Sequence, residues 1–207
     1  DAKDPIQAIS LNALFPHRLA RLCAVAKARF IHISTDCVFD GKKGMYVEED
    51  IPDAVDIYGR TKLLGEVDYT NAITLRTSII GHEISSSHAL IDWFLKQKAT
   101  VSGFRRAIFS GLPTVCLAEI IRDNVIENPD LRGLYHVSAE PISKYDLLML
   151  VKDIYGHSVE IVPDDTLDID RSLDSSRFRR VTGFSPPTWP QMIARMRDFE
   201  RSSEGTE

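Results

Sequence analysis

Hydrophobic positions along the chain switch between helical and strand-like spacing. Apolar residues recur at near-helical intervals over 6–27, and a short run rich in β-branched residues follows at 30–33. Helical spacing resumes over 57–69, and a second apolar run covers 73–77. The order helix, strand, loop, helix, strand predicts a parallel sheet covered by helices, because parallel strands need crossover connections.

The second half of the chain predicts a more mixed set of shorter elements. Ser143 is a suitable N-cap for a helix that ends at Gly156. From Ser175 the pattern indicates two short helices, separated by Gly183 and two prolines. The remaining predicted elements are helices at 89–97, 114–126 and 144–155 and strands at 100–103, 134–137 and 159–162.

Composition and charge exclude several classes of function. The 207 residues are 43% hydrophobic, enough for a packed core, and the net charge of −5 disfavours a strongly basic nucleic-acid binder. Apolar runs are far shorter than the roughly 20 residues that a membrane-spanning helix needs. Three cysteines without a C-x-x-C pair predict reduced thiols in a cytoplasmic protein. We therefore expect neither a nucleic-acid nor a membrane partner.

Three side chains near the first predicted strand suggest acid–base chemistry. Thr35 lies where that strand ends, at the sheet edge where α/β proteins bind ligands. Tyr58 and Lys62 are four residues apart, so a helix places them on one face. A nearby ammonium would lower the pKa of Tyr58, which is about 10 for a free tyrosine, and make the phenol a usable proton donor. The set is typical of carbonyl–alcohol interconversion.

The motifs around these residues resemble a known family. Residues 34–41 read STDCVFDG and residues 58–66 read YGRTKLLGE. With them the chain resembles the extended short-chain dehydrogenase/reductases, and within these the dTDP-4-dehydrorhamnose reductase group of nucleotide-sugar enzymes. Supporting segments lie at 75–77, 111–114, 133–137 and 171–175. The resemblance implies an α/β fold with a Rossmann-like parallel sheet, here its C-terminal portion, and a smaller mixed α/β substrate-binding region.

The resemblance also implies residue roles. Tyr58 would donate a proton to the C4 oxygen of a keto-sugar, Thr35 would hydrogen-bond the substrate, and Lys62 would bind the nicotinamide ribose. Cofactor contacts are expected from Tyr58, Lys62 and Thr77, with NADP or NAD as the cofactor. The substrate side is expected to include Asp36, Cys37, Phe39 and Arg171. The implied reaction is reduction of a nucleotide-linked 4-keto-6-deoxy sugar in surface polysaccharide synthesis, with a homodimer left open.

Departures from the family pattern bear on the reaction. Nucleotide-sugar 4,6-dehydratases carry Thr-Asp-Glu at the first motif, whereas Asp36 is followed here by Cys37, which disfavours a dehydratase. The close reductases usually have Tyr at that position, so the sugar is left open. A regulatory β subunit of methionine adenosyltransferase resembles the same reductases and stays an alternative, as does a nucleotide-sugar epimerase. His82, Glu83 and His88 lack zinc-like spacing, and no metal site is expected.

The glycine-rich turn of dinucleotide-binding folds is absent from the chain. No two glycines are two residues apart, so G-x-G-x-x-G does not occur. The resemblance implies that this turn lies upstream of Asp1, and that the chain is the C-terminal part of a longer enzyme that would be inactive alone. We expect 1–81 to be a remnant of the cofactor domain and 82–207 to be mainly substrate-binding, with a strand near 133–138 returning to the main sheet.

Overall fold

The main sheet is parallel and has its predicted strands. A computed structural model describes residues 4–83 and 89–204. Strand β1 (Phe30–Thr35) pairs in parallel with β2 (Ala72–Thr77), and β2 pairs in parallel with β7 (Gly133–His136). The resulting order is β1-β2-β7, with β2 in the centre. This arrangement confirms the predicted α/β fold class with a Rossmann-like parallel sheet.

The register of β1 on β2 places the ends of the two strands side by side. Phe30 pairs with Ala72 at one end, and Thr35 pairs with Thr77 at the other. Every residue of β2 is buried because the strand has a neighbour on each side and other elements packed on both faces. The carboxyl end of β1 therefore opens onto one sheet edge together with that of β2.

Helices at the start of the chain pack against the first strand. The segment predicted as one helix is α1 (Pro5–Ala8), a π-helical turn (Ile9–Leu14) and α2 (Phe15–Val25). Helix α3 (Ile57–Leu64) ends five residues earlier than its apolar spacing predicts, with Gly65 as its C-cap. A Cβ on Gly65 would collide with the carbonyl oxygen of Asn12, so glycine allows the π-helical turn and the end of α3 to approach closely.

Helices in the second half match most of the predicted ones. Ser143 Oγ accepts the Asp146 N–H at 2.9 Å, and Gly156 ends the same helix with a left-handed φ of 68°. The caps and bounds predicted for that helix are thus confirmed. These helices are α4 (Leu90–Leu95), α5 (Thr114–Ile120) with a π-helical continuation (Ile121–Ile126), α6 (Lys144–Tyr155), α7 (Ser176–Thr182) and α8 (Trp189–Glu204).

Short strands form three small sheets beside the main one in the part of the chain that the structure describes. The strands are β3 (Ile79–Ile80), β4 (Val101–Phe104), β5 (Ala107–Phe109), β6 (Leu112–Pro113), β8 (Ile142–Ser143), β9 (Ile161–Asp164) and β10 (Ile169–Asp170). Strand β3 pairs with β6, β4 pairs with β9, and β5 pairs with both β8 and β10. The strands that the sequence did not predict are two or three residues long, too short to show a period.

One hydrophobic cluster extends from the main sheet into the later helices. Ile73 and Leu75 of β2 share it with Leu147 of α6 and Met192 of α8. The cluster crosses the boundary predicted at 81/82, and the division into two regions stays a prediction. Among residues 4–83 and 89–204, no helix has both the length and the apolar character that crossing a bilayer requires.

Truncating the centre of β2 is expected to destabilise the fold. Leu75 is fully buried in the main cluster, and Leu75→Ala should lower the free energy of unfolding by about 3 kcal/mol through lost transfer energy and a residual cavity. Urea denaturation measures this change. Leu22→Ala, at a site 66% exposed on α2, is the matched control and should stay within about 0.5 kcal/mol of wild type. Equal losses in both variants would contradict the assignment of Leu75 to the core.

Candidate active site

Thr35 ends β1 and organises the turn that follows. Its hydroxyl oxygen accepts the backbone N–H of Cys37 at 3.1 Å, as an N-cap of the short 3₁₀ turn Asp36–Val38. The same hydroxyl donates to Asp36 Oδ1 at 3.1 Å. Thr35 and Asp36 are both 7% exposed. The hydroxyl is thereby held at the carboxyl end of the strand, where the sequence places it.

Helix α3 brings Tyr58 and Lys62 to the same edge of the sheet. Asp56 caps the helix by accepting the Gly59 N–H at 2.8 Å. A Cβ on Gly59 would collide with the Cys37 carbonyl oxygen, so this glycine lets α3 lie directly against the turn after β1. Tyr58 remains 36% exposed, and its phenol lies close enough to Thr35 for that hydroxyl to affect its pKa. The structure thus brings Thr35, Tyr58 and Lys62 into one site.

The electrostatics of Tyr58 differ from the expectation. Burial raises the pKa of Tyr58 above its usual value, the charge of Cys37 raises it further, and the nearby Thr35 hydroxyl opposes both. Lys62 Nζ donates to the carbonyl oxygen of Ile33 at 2.8 Å. Burial lowers the pKa of Lys62, and Glu66 opposes that shift. The prediction that Lys62 lowers the pKa of Tyr58 is wrong for this arrangement, in which the ammonium is directed to the β1 backbone.

Asp36, Cys37 and Arg171 lie together beside Thr35. Arg171 Nε donates to the carbonyl oxygen of Phe39 at 2.9 Å, and its Nη1 lies 3.5 Å from Cys37 Sγ. Cys37 Sγ also lies 3.5 Å from Asp36 Oδ1. Burial raises the pKa of Asp36, while Thr35, Cys37 and Arg171 oppose that rise. A cation, a carboxyl and a thiol thus lie next to the Thr35 hydroxyl, and their predicted contact with substrate stays a prediction.

Two further predicted residues are buried near the site. Phe39 is fully buried, with its ring stacked on Tyr46 at 4.1 Å between centroids and edge-on to His136. Thr77 lies beside Thr35 in the register, and its hydroxyl donates to the Ser78 carbonyl oxygen at 3.3 Å. The geometry gives Phe39 a packing role, and a substrate contact would require its ring to leave this stack. The cofactor contact of Thr77 stays a prediction.

A buried ion pair below the site was not singled out by sequence reasoning. Arg76 of β2 pairs with Glu66, which lies two residues after the end of α3. Glu66 also accepts from Ser34, and Arg76 lies near His136. Arg76 is a charged residue inside a strand that is otherwise apolar or neutral. Because buried charges are normally paired, this residue could have revealed the ion pair.

His82 is in a cluster away from these residues. Its Nδ1 lies 2.6 Å from Asp92 Oδ1, and its Nε2 lies 2.9 Å from the Tyr155 hydroxyl and 3.1 Å from Glu200 Oε2. His82, Asp92 and Glu200 are close enough together to hold a metal ion, which the spacing along the sequence did not suggest. His88 lies outside the described residues. The expectation that the protein has no metal site stays a prediction.

The reactivity of Cys37 offers a test of this geometry. Burial raises the pKa of the Cys37 thiol, and the negative charge of Asp36 raises it further. Removing that charge in Asp36→Asn should lower the pKa and increase the thiolate fraction at a given pH. Alkylation by iodoacetamide at pH 8, followed by mass spectrometry, should therefore be several times faster at Cys37, while Cys116, buried at α5, reacts at an unchanged rate. A slower Cys37 would contradict the arrangement.

Comparison with known proteins identifies a family with this fold and these motifs. The family model described as RmlD substrate binding domain matches residues 2–201. A structure titled hypothetical dTDP-4-dehydrorhamnose reductase from Sulfolobus tokodaii is 30% identical, with a TM-score of 0.76, covering 90% of this chain and 71% of that one. The dTDP-4-dehydrorhamnose reductase from Bacillus anthracis, solved with NADP, is 22% identical with a TM-score of 0.80, over 94% and 74% of the two chains.

Several curated relatives are named as a subunit of methionine adenosyltransferase and not as reductases. Methionine adenosyltransferase 2 subunit beta of Xenopus laevis is 28% identical over 91% of this chain and 57% of its own length. The chain thus spans little more than half of that relative. The dTDP-4-dehydrorhamnose reductase of Aggregatibacter actinomycetemcomitans is 26% identical over 93% of this chain and 74% of its own. By the match that covers nearly its whole length, the chain belongs to the RmlD substrate binding domain family.

Proposed function

We propose that the natural protein reduces a nucleotide-linked 4-keto-6-deoxy sugar with NADPH or NADH, in surface polysaccharide synthesis. The observation that carries the proposal is the meeting of Thr35, Tyr58 and Lys62 at the carboxyl end of β1. Ligands of open α/β sheets bind at this edge. The match to dTDP-4-dehydrorhamnose reductases supports the substrate class.

Tyr58 would act as the proton donor to a carbonyl oxygen. A tyrosine phenol is protonated at neutral pH even at its ordinary pKa of about 10, and the pKa of Tyr58 is shifted upward from there, so the donating form is present. Thr35 would hold the same oxygen through its hydroxyl. When bound, the nicotinamide would supply a hydride to C4, and Tyr58 would supply the proton that completes the alcohol. Lys62, four residues further along α3, would bind the nicotinamide ribose.

The substrate side fits an anionic nucleotide sugar. Arg171 Nη1 lies 3.5 Å from Cys37 Sγ. A guanidinium is suited to bind phosphate or hydroxyl oxygens. Asp36 adds a buried carboxyl beside Thr35. Cys37, smaller than the tyrosine usual in close reductases, leaves more room at this point. The homodimer and the cytoplasmic location also remain proposals.

The choice of cofactor rests on similar proteins. The Bacillus anthracis reductase was solved with NADP and RMD of Pseudomonas aeruginosa with NADPH. Tyr58 and Lys62 fit the nicotinamide end of such a dinucleotide, because one hydroxyl and one ammonium lie one helical turn apart at the site. The chain has no glycine-rich turn for the pyrophosphate, so the proposal concerns the nicotinamide end. Other similar structures were solved with NAD, so both NADP and NAD stay in the proposal.

A regulatory subunit is the second candidate function. Relatives named methionine adenosyltransferase 2 subunit beta align over 91% of the chain at up to 30% identity. A protein that keeps Thr35, Tyr58 and Lys62 could use them to hold a dinucleotide and contact a catalytic partner through another surface. Fold similarity does not separate the two candidates, because unrelated functions share one fold.

Loss of the Tyr58 hydroxyl is expected to abolish reduction. In the natural protein, Tyr58→Phe should lower kcat at least about 100-fold, the range of general acid catalysis, and leave NADPH affinity within about threefold. Consumption of NADPH with dTDP-4-dehydrorhamnose measures the first, and fluorescence titration measures the second. Tyr69→Phe, whose hydroxyl contacts His17 at 2.9 Å, is the control and should keep full activity. Wild-type turnover without net NADPH consumption would favour an epimerase.

A binding experiment separates the regulatory candidate from the reductase. If the protein is a regulatory subunit, affinity-tagged natural protein should retain a methionine adenosyltransferase catalytic subunit at micromolar concentration and change its rate of S-adenosylmethionine formation. Under the proposed reductase function it should do neither. Retention together with an absence of keto-sugar turnover would reverse the order of the two candidates.

A further inference from the structure

A buried, bidentate ion pair lies next to the candidate site. Arg76 Nε donates to Glu66 Oε1 at 2.8 Å, and Arg76 Nη2 donates to Glu66 Oε2 at 2.7 Å. The two side chains are 4% and 12% exposed. Such fork-to-fork geometry fixes the relative orientation of the two groups as well as their distance. The pair therefore joins the segment after α3 to the central strand β2.

Adjacent residues of β1 hold the same end of α3. Ser34 Oγ donates to Glu66 Oε1 at 2.6 Å, and the carbonyl oxygen of Ile33 accepts from Lys62 Nζ at 2.8 Å. Ser34 directly precedes Thr35, and Lys62 lies four residues before Glu66. Movement of the Glu66 carboxylate would therefore displace the strand that carries Thr35 relative to the helix that carries Lys62.

Arg76 also reaches the turn on the substrate side. Its guanidinium lies over the Phe39 ring, 5.2 Å from the centroid, and its Nη1 lies 3.4 Å from His136 Nε2. Burial and the Arg76 charge lower the pKa of His136 to about 4, so the imidazole is neutral at pH 7. Its Nδ1 lies 2.9 Å from the Tyr46 carbonyl oxygen, which requires the proton on Nδ1. Nε2 is thus left as an acceptor for Arg76.

We propose that Glu66 and Arg76 are positioning residues of the site. The pair sets the position of Lys62 against β1, and through Phe39 it connects Lys62 to the substrate side. The inference rests on the proposed function, because it gives Lys62 a role in cofactor binding. Neither residue need contact substrate. Their effect is exerted through the Lys62 ammonium and through the turn that contains Phe39.

The charge of Glu66 makes the inference testable without cofactor. The Glu66 carboxylate opposes the lowering of the Lys62 pKa by burial. In Glu66→Gln that carboxylate is gone while the shape is kept, so the pKa of Lys62 should fall and its free-amine fraction should rise. Competitive acylation with acetic anhydride across pH 7–11, read by mass spectrometry, measures this for each lysine. We expect Lys62 to react about threefold faster at pH 8.

Two further variants separate positioning from simple stabilisation. Glu66→Gln leaves Arg76 buried without its partner and is expected to be destabilised. The double variant Glu66→Gln/Arg76→Gln leaves no unpaired charge and should regain thermal stability. Because it removes one negative and one positive charge together, a Lys62 that still reacts faster than in wild type reports a change in its position rather than the loss of a single charge. Glu119→Gln removes a carboxylate from the exposed pair with Arg195 at 3.0 Å and should change neither property.

The Lys62 acylation profile of the double variant tests the positioning role. A Lys62 acylation profile in the folded double variant equal to that of wild type would overturn the positioning role and leave the pair as a structural element. A shifted Lys62 profile supports it. In protein that reduces the keto-sugar, the double variant should also lose about tenfold in kcat/KM for the sugar. A shifted Lys62 profile in a protein without reductase activity would instead refute the proposed function alone.

Discussion

The parallel pairing of β1 with β2 is the constraint on which the rest of the site depends. Because Thr35 pairs with Thr77, both strands end at one edge of the sheet. The turn after β1 then has to leave the sheet at that edge, and α3 has to cross back over β1 before β2 begins. Tyr58 comes close to Thr35, and Lys62 hydrogen-bonds to Ile33 two residues earlier in β1, because α3 packs tightly against this edge.

Close backbone approach and a buried ion pair keep α3 in this position. Gly59 lets the start of the helix contact the Cys37 carbonyl oxygen, and Gly65 lets its end contact the backbone of Asn12. Arg76 then holds Glu66 from inside the sheet. Burying such a pair is costly unless all its hydrogen bonds are made. Ser34 adds a further hydrogen bond to Glu66, so the carboxylate is held from β1 as well as from β2.

Much of this architecture could be predicted from the chain. The strands β1, β2 and β7 and helix α6 follow from apolar periodicity and from caps such as Ser143 and Gly156. The meeting of Thr35, Tyr58 and Lys62 followed from strand ends, helical spacing and family resemblance. Strands β3, β5, β6, β8 and β10 could not be predicted, because two or three residues show no period and are held by their neighbours. The π-helical turn at Ile9–Leu14 lies inside the segment that the sequence predicted as one helix.

Local spacing and contiguous motifs were enough to predict the order of elements, the family and the three residues at the sheet edge. The direction of the Lys62 ammonium, the cause of the raised Tyr58 pKa and the burial of Phe39 could be read only from the folded chain. The same holds for the contact between Glu66 and Arg76. These properties depend on burial and on contacts between segments far apart in the chain, and neither is encoded in local spacing.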